Sequence, residues 1–233
     1  MTPSIGLRLQ RREFLFPWFL LATLLPLLIM SFTNLEGNLV QRMLLPLSTL
    51  VLVVVSLRLM PADLIRLGRW SLIGVYRLLG VGCAAVMWLP FLLGHHAGHQ
   101  WHLPILAVIS GFYLATAVGV VLVLAKVTRV NEPVLCLGAA GYIHLGLTGG
   151  QLATALEVLN PGSFSLGRML PGEELVERLS YFSFVTLGSL GYGDVLPATA
   201  LAECFVVLLS VTATLYITLM IGLLLSRYIE NCE

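Results

Sequence analysis

The chain has 233 residues, of which 58% are hydrophobic and only 11% charged. Charged residues take about a quarter of an ordinary globular chain, so this composition excludes a soluble domain and points to an integral membrane protein. A net charge of +1 leaves no basic surface for nucleic acid, and four cysteines without Cys-x-x-Cys spacing suggest neither a disulfide framework nor a zinc knuckle.

A helix needs about 20 apolar residues to cross hydrocarbon, and residues 14–33 supply them without a charge. Arg8, Arg11 and Arg12 in front resemble the start of a signal peptide. The apolar run is too long for one, however, and no small-x-small cleavage site follows, so it reads as an anchor. Further spans are expected at residues 43–57, at 71–93 with one charge (Arg77), at 103–125, at 133–159, and at 198–228. The last exceeds a vertical crossing and is expected to tilt. Six crossings put both termini on one side. Lys and Arg collect on the cytoplasmic side. With the N-terminus inside, Arg8, Arg11, Arg12, Arg58, Arg66, Arg69, Lys126, Arg129 and Arg227 lie inside, against only Arg42, Arg168 and Arg178 outside. The outer side gathers Glu36, Glu157, Glu173, Glu174, Glu177 and Asp194, a field attractive to cations. No internal repeat, linker or low-complexity tract interrupts the chain.

Between the fifth and sixth spans, Pro171-Gly172-Glu173-Glu174 reads as a helix start, with proline near the first turn and acids at the positive dipole end. The helix is expected over residues 173–187. It is too short to cross, and it runs into Gly188-Ser189-Leu190-Gly191-Tyr192-Gly193-Asp194, so the chain must re-enter and come back out. Irregular backbone at membrane depth is tolerated only inside protein or along a water-filled path, which places a pore at this segment.

Thr186-x-x-Ser189-x-Gly191-Tyr192-Gly193-Asp194 resembles the filter of the tetrameric potassium-channel pore-loop superfamily, in which Thr-x-x-Thr-x-Gly-Tyr-Gly-Asp stands at this place. The resemblance is strong over residues 173–227 and architectural only over the first four spans. It implies an all-α integral membrane fold with six transmembrane helices and a re-entrant pore helix and selectivity filter between spans five and six. Residues 1–132 would be an N-terminal four-helix membrane region, and residues 133–233 a pore domain of outer helix, pore helix, filter and inner helix. It further implies that backbone oxygens of Ser189, Leu190, Gly191 and Tyr192, with the Ser189 hydroxyl, hold dehydrated K+, that Gly191 and Gly193 supply the backbone freedom, and that Thr186 supports the filter. Asp194 would stand at the outer mouth. One loop gives one carbonyl per layer, so the family's fourfold ring implies a homotetramer of this chain with three further copies, in contact with membrane lipid. No cofactor is implied beyond K+ as the permeant ion, and no enzymatic chemistry.

Three departures from the family pattern matter. Ser189 keeps the hydroxyl of the usual threonine but loses its methyl. Val185 stands where many relatives carry a pore-helix carboxylate that bonds the filter aspartate, so Asp194 needs another partner. No hinge glycine occurs near Ala213, and Gly222 follows about two turns later. The competing glycine motifs fail, because Leu187-Gly188-Ser189-Leu190-Gly191 is not Gly-x-Ser-x-Gly and position 196 is Leu196, not the third glycine of a dinucleotide loop.

Thr214, Ile217, Ile221 and Leu225 recur at helical spacing and are expected to share the pore-facing stripe, with Ile221 and Leu225 as the gate. Span four lacks the arginine ladder of a voltage sensor, and Lys126 and Arg129 lie beyond its inner end. Arg77 is expected to snorkel to the inner interface. His95, His96, His99 and His102 read as a polar interfacial loop with Trp101, although their spacing would also suit zinc, copper or acid sensing. His144 reads as a packing residue, and Gly146-x-x-x-Gly150 as a flat face for close helix approach.

The function expected from these residues is passive, weakly voltage-dependent potassium conduction across a cell membrane, plasma or bacterial inner, with both termini cytoplasmic. The alternatives are a weakly selective cation channel, or a transporter or partner subunit. Transporters usually pair broken helices in two related halves, whereas this chain shows one interrupted segment. Six residues follow Arg227, so no C-terminal ligand-binding domain is expected in this chain.

Overall fold

A computed structural model describes residues 12–30, 39–60, 66–67, 70–71, 73–93, 102–127, 130–169 and 173–230. Within them lie α1 (Leu15–Met30), α2 (Leu39–Leu59), α3 (Ile73–Leu93), α4 (His102–Lys126), α5 (Glu132–Leu159), a short α6 (Leu175–Leu187) and α7 (Ala200–Glu230). Two antiparallel ladders of two-residue strands accompany them, β1 (Arg66–Leu67) with β2 (Trp70–Ser71), and β3 (Phe164–Ser165) with β4 (Leu196–Pro197). The all-helical expectation missed both ladders. Each strand is two residues long, too short to carry an alternating hydrophobic signal.

Helix boundaries follow local chemistry. Asn131 caps α5, its side chain accepting from the Val134 amide at 3.2 Å, with Pro133 in the first turn, where a missing N–H costs nothing. Whereas the sequence pattern opens α6 at residue 173, the helix starts at Leu175, because Glu174 is its cap and the Glu177 carboxylate reaches back to the Glu174 amide at 3.2 Å. The start of α7 likewise moves from 198 to Ala200. The Ala198 amide donates to the Ser163 carbonyl at 2.7 Å, and the Thr199 hydroxyl accepts from the Ala202 amide at 3.3 Å.

Two helices, Pro104–Lys126 and Ala200–Gly222, are long and apolar enough to cross a membrane over their described residues. Shorter apolar stretches lie at Leu15–Ile29, Pro46–Leu59 and Ile73–Trp88. In α5 the apolar residues are diluted by glycines and by His144. Arg12 ties the start of α1 to the end of α2, donating from Nη1 to the carbonyls of Arg58 at 2.8 Å and Met60 at 3.0 Å. Asn131 donates to the Glu13 carboxylate at 2.7 Å, so the start of α5 lies at that same end. Tyr76 and Thr116 hydroxyls meet at 3.1 Å and join α3 to α4.

The main core is built on α5. Phe16, Phe19, Leu52, Phe112, Val120 and Val123 pack with Val134, Leu137, Ala140 and Leu147 in one buried cluster, so the packing continues across residue 132. His144 is buried there, with Nε2 3.1 Å from the Tyr113 carbonyl and its ring stacked on that of Tyr113 at 5.3 Å. Among the described residues no group of three His, Cys, Asp or Glu could hold a metal. His95, His96 and His99, and the side chain of His102, lie outside the described residues. Arg77 is exposed on α3, one turn from its start.

On the opposite side of α5, Gly146, Gly149 and Gly150 form the surface on which α6 lies, against Phe184, Ser183 and Ser180. The spacing of Gly146 and Gly150 marks this close approach in the sequence, and Gly149 widens it. Ser183 Oγ donates to the Gly146 carbonyl at 2.8 Å. A Cβ at Gly150 would fall 2.6 Å from the Cα of Ser180, and backbone cannot step aside. Gly150→Ala is therefore expected to cost about 1–3 kcal/mol. Gly222→Ala, which meets nothing within 4 Å, should cost none of this. Thermal unfolding of the detergent-solubilised variants checks both.

Candidate pore loop

Residues 188–199 leave α6, run through an irregular stretch and enter α7. The end of α6 is closed by its own backbone. Gly188 N–H donates to the Phe184 carbonyl, Ser189 N–H to Thr186 at 3.1 Å, and Leu190 N–H to Val185 at 3.0 Å. The last two bonds are those of a Schellman motif, in which the residue after the cap takes a left-handed backbone. That residue is Ser189, with φ at +54°. A side chain in this region costs about 1–2 kcal/mol, and the two capping bonds hold it there. Tyr142 of α5 adds its hydroxyl to the Leu187 carbonyl at 3.0 Å, and Thr186 donates its hydroxyl back to Phe182 at 2.9 Å.

Beyond the cap, Gly191 and Gly193 also have positive φ, +58° and +74°, while Leu190 and Tyr192 between them do not. Alternation of hand along a run lets neighbouring peptide groups face the same way. The two glycines occupy the left-handed places, as their freedom permits. Ser189 extends the alternation by one position, which the sequence did not signal, because serine gives no indication of φ above zero. Ser189, Leu190, Gly191, Tyr192, Gly193 and Asp194 are all exposed in the protomer, with Leu190 at 58% and Tyr192 at 64%.

Past Asp194 the chain is strapped down. Ser165 pairs with Leu196 and Phe164 with Pro197, so residues after α5 run antiparallel to those that lead into α7. Glu157 holds the turn between, its carboxylate accepting from the Gly162 and Phe164 amides, both at 2.8 Å. Phe164 packs on Phe182 of α6 at 5.5 Å. Asp194 finds its partner on α6, where Arg178 Nη2 lies 3.4 Å from Oδ2. The Arg178 guanidinium also stacks over the Tyr181 ring at 5.4 Å. The Tyr181 phenol is raised from its ordinary value, by desolvation first, then by its hydrogen bond to Asp194 and the carboxylate charge. The acidic field read from sequence is therefore partly engaged locally, because Glu157 and Glu177 serve backbone amides and Asp194 faces a cation.

Among the described side chains of α7 the buried positions are few, Ala202, Leu209 and Ala213, and Thr214, Ile217 and Ile221 are exposed. The side chain of Leu225 lies outside the described residues. Tyr216 donates its hydroxyl to the Gly138 carbonyl of α5 at 2.8 Å, a tie between outer and inner helices that the sequence pattern did not reveal. The Thr214 hydroxyl bonds the Ser210 carbonyl at 3.0 Å.

Residues 169–230, which take in α6, the filter stretch and α7, match a family described as ion channel. No match was found among curated proteins or among solved structures. The match and the two apolar helices long enough to span indicate a membrane protein whose residues 169–230, about the last quarter of the chain, are similar to an ion channel.

A Cβ at Gly191 or Gly193 would meet no atom within 4 Å in the protomer, so substitution acts through backbone conformation. Gly191→Ala and Gly193→Ala should each disfavour the loop conformation by about 1–2 kcal/mol and abolish ion flux from proteoliposomes. Thermal unfolding of the same preparations should stay near that of the parent, since the loop lies outside the buried clusters.

Proposed function

We propose that the chain is the subunit of a potassium-selective channel, in which α6, the stretch Ser189-Leu190-Gly191-Tyr192-Gly193-Asp194 and α7 form the ion path. The observation that carries this reading is the alternation of backbone hand at Ser189, Gly191 and Gly193, directly after a capped short helix packed inside the protein. Carbonyls of Ser189, Leu190, Gly191 and Tyr192 replace the water shell of K+, which is cargo and not a resident cofactor. Passive conduction needs no covalent chemistry, and the reading assigns no enzymatic activity.

One protomer supplies one wall of such a path, so the reading requires a ring of four copies. The exposure of Leu190 and Tyr192 and the sparse burial of α7, only 11% of its most apolar window, fit a surface that other copies cover. Thr214, Ile217 and Ile221 then line the lower path, with Ile221 and Leu225 as its apolar constriction. Six crossings, with both termini in the cytoplasm of a cell-membrane channel, accord with the ties that bring the starts of α1 and α5 to the end of α2. Residues 1–132 then form a four-helix region and residues 133–233 the pore domain.

Currents of the purified protein in planar bilayers, with potassium on one side and sodium on the other, test the proposal. The reversal potential should approach that of potassium. A reversal near zero makes the pore a weakly selective cation channel, and absence of unitary currents removes the channel reading. Voltage dependence should be shallow. One elementary charge yields about 2.3 kcal/mol per 100 mV, and steep gating needs roughly three to four charges per subunit. In the helices α1–α4 the Lys and Arg residues are Arg42, Arg58, Arg77 and Lys126, each within about one turn of a helix end, so none lies deep in a span. The conductance–voltage curve in symmetrical potassium should be nearly flat, and a steep fitted gating valence would contradict this.

A further inference from the structure

We infer that Arg178 is a positioning residue for ion selection, holding the outer end of the filter in register by joining three segments at one guanidinium. This inference rests on the channel reading and deepens it. The Arg178 side chain is only 11% exposed, and its head group meets Leu166, Asp194 and Tyr181. Nε donates to the Leu166 carbonyl at 3.0 Å, in the stretch that leaves β3. Nη2 faces Asp194 Oδ2 at 3.4 Å, directly after the last filter glycine. The guanidinium plane lies over Tyr181, one turn further along α6. Arginine suits this place because its rigid fork aims separate donors in fixed directions, which the point charge of lysine does not.

The surroundings leave the contact little slack. Gly167 has φ at +60°, and a Cβ there would run into the Asp194 carbonyl and come within 3.3 Å of Arg178 Nη2. The loop before α6 thus passes directly against the backbone at the filter exit. The β3–β4 ladder and the bond from the Ala198 amide to the Ser163 carbonyl fasten that loop two to four residues further on. Arg178 is the strut that links this strap to α6. Val185 offers no carboxylate toward Asp194, so the hold on the filter exit passes through the Arg178 cation, with the Tyr181 hydroxyl of the same helix as a second partner of Asp194. Exposure of Asp194 is 39%, so water competes for it once the guanidinium is removed. The Gly193 peptide then loses its fixed orientation, and the outermost carbonyls lose the spacing that separates potassium from sodium.

The test measures the potassium-to-sodium permeability ratio and the decay of current during sustained conduction, in Arg178→Gln, Arg178→Lys, Asp194→Asn and the Arg178→Gln/Asp194→Asn double variant. Each is reconstituted as the full chain, and its assembly is checked by size-exclusion chromatography. Arg178→Gln should lower the permeability ratio roughly tenfold, the scale of one charge-assisted hydrogen bond, and should speed current decay at low external potassium. Arg178→Lys should restore part of the ratio. Asp194→Asn should reproduce much of the loss, and the double variant should add little to either single change. A purely structural arginine would reduce the number of assembled channels and leave the ratio per channel untouched. Parental selectivity in Arg178→Gln overturns the inference, as does full additivity in the double variant. Should Arg178→Gln fail to assemble, parental ratios and steady currents in both Arg178→Lys and Asp194→Asn overturn it equally. If the parent chain itself shows no selective potassium current, the channel reading falls, a result distinct from a selective parent and an equally selective Arg178→Gln.

Discussion

Hydrocarbon offers no hydrogen bonds, so a stretch of chain that is neither helix nor closed sheet can exist at membrane depth only when protein or water satisfies its backbone. On the proposed channel reading the stretch from Gly188 to Thr199 is such a segment, and much of the surrounding structure holds it. Its first amides close the end of α6. Its far end is paired with β3, and Ala198 is bonded to Ser163. What lies between has alternating backbone hand and exposed peptide groups, the part left available for another ligand.

The two sides of α5 serve this segment differently. One side joins the buried cluster with α1, α2 and α4, a broad apolar contact typical of helices that must not move. The other carries Gly146, Gly149 and Gly150, where α6 lies backbone against backbone. α7 touches α5 more sparingly, through Tyr216, Met220 and the notches at Gly138 and Gly141. The contrast divides the protomer into a firmly packed frame and one lightly held helix. Under the proposed channel reading, that division suits a pore whose selecting part is rigid while α7 changes position.

Much of this arrangement was legible in the sequence, and for identifiable reasons. The long helices appear as apolar runs whose ends the structure moves by a few residues, because charge-free length is a coarse signal that caps then refine. The short helix that gives way to irregular backbone was readable because a polar start followed by three glycines in six residues is incompatible with a continued helix. The left-handed backbone of Ser189, the Arg178 pairing and the β3–β4 strap were not readable. Each depends on residues brought together by the fold, and neither serine nor arginine has a pattern that announces such a partner. His144 illustrates the reverse case, since a lone histidine among apolar residues was expected to pack, and it stacks on Tyr113.

Glycine-lined contacts have a further consequence for depth. A surface without side chains has no ridges, so sliding α6 along α5 meets little steric resistance over that strip. The height at which α6 rests is set instead by two hydroxyls, Ser183 on the Gly146 carbonyl and Tyr142 on the Leu187 carbonyl, at 2.8 and 3.0 Å. These act as pegs on a smooth rail. Their positions on α5 fix where along that helix the irregular stretch begins, and on the proposed channel reading that sets how much of the membrane voltage would fall across it.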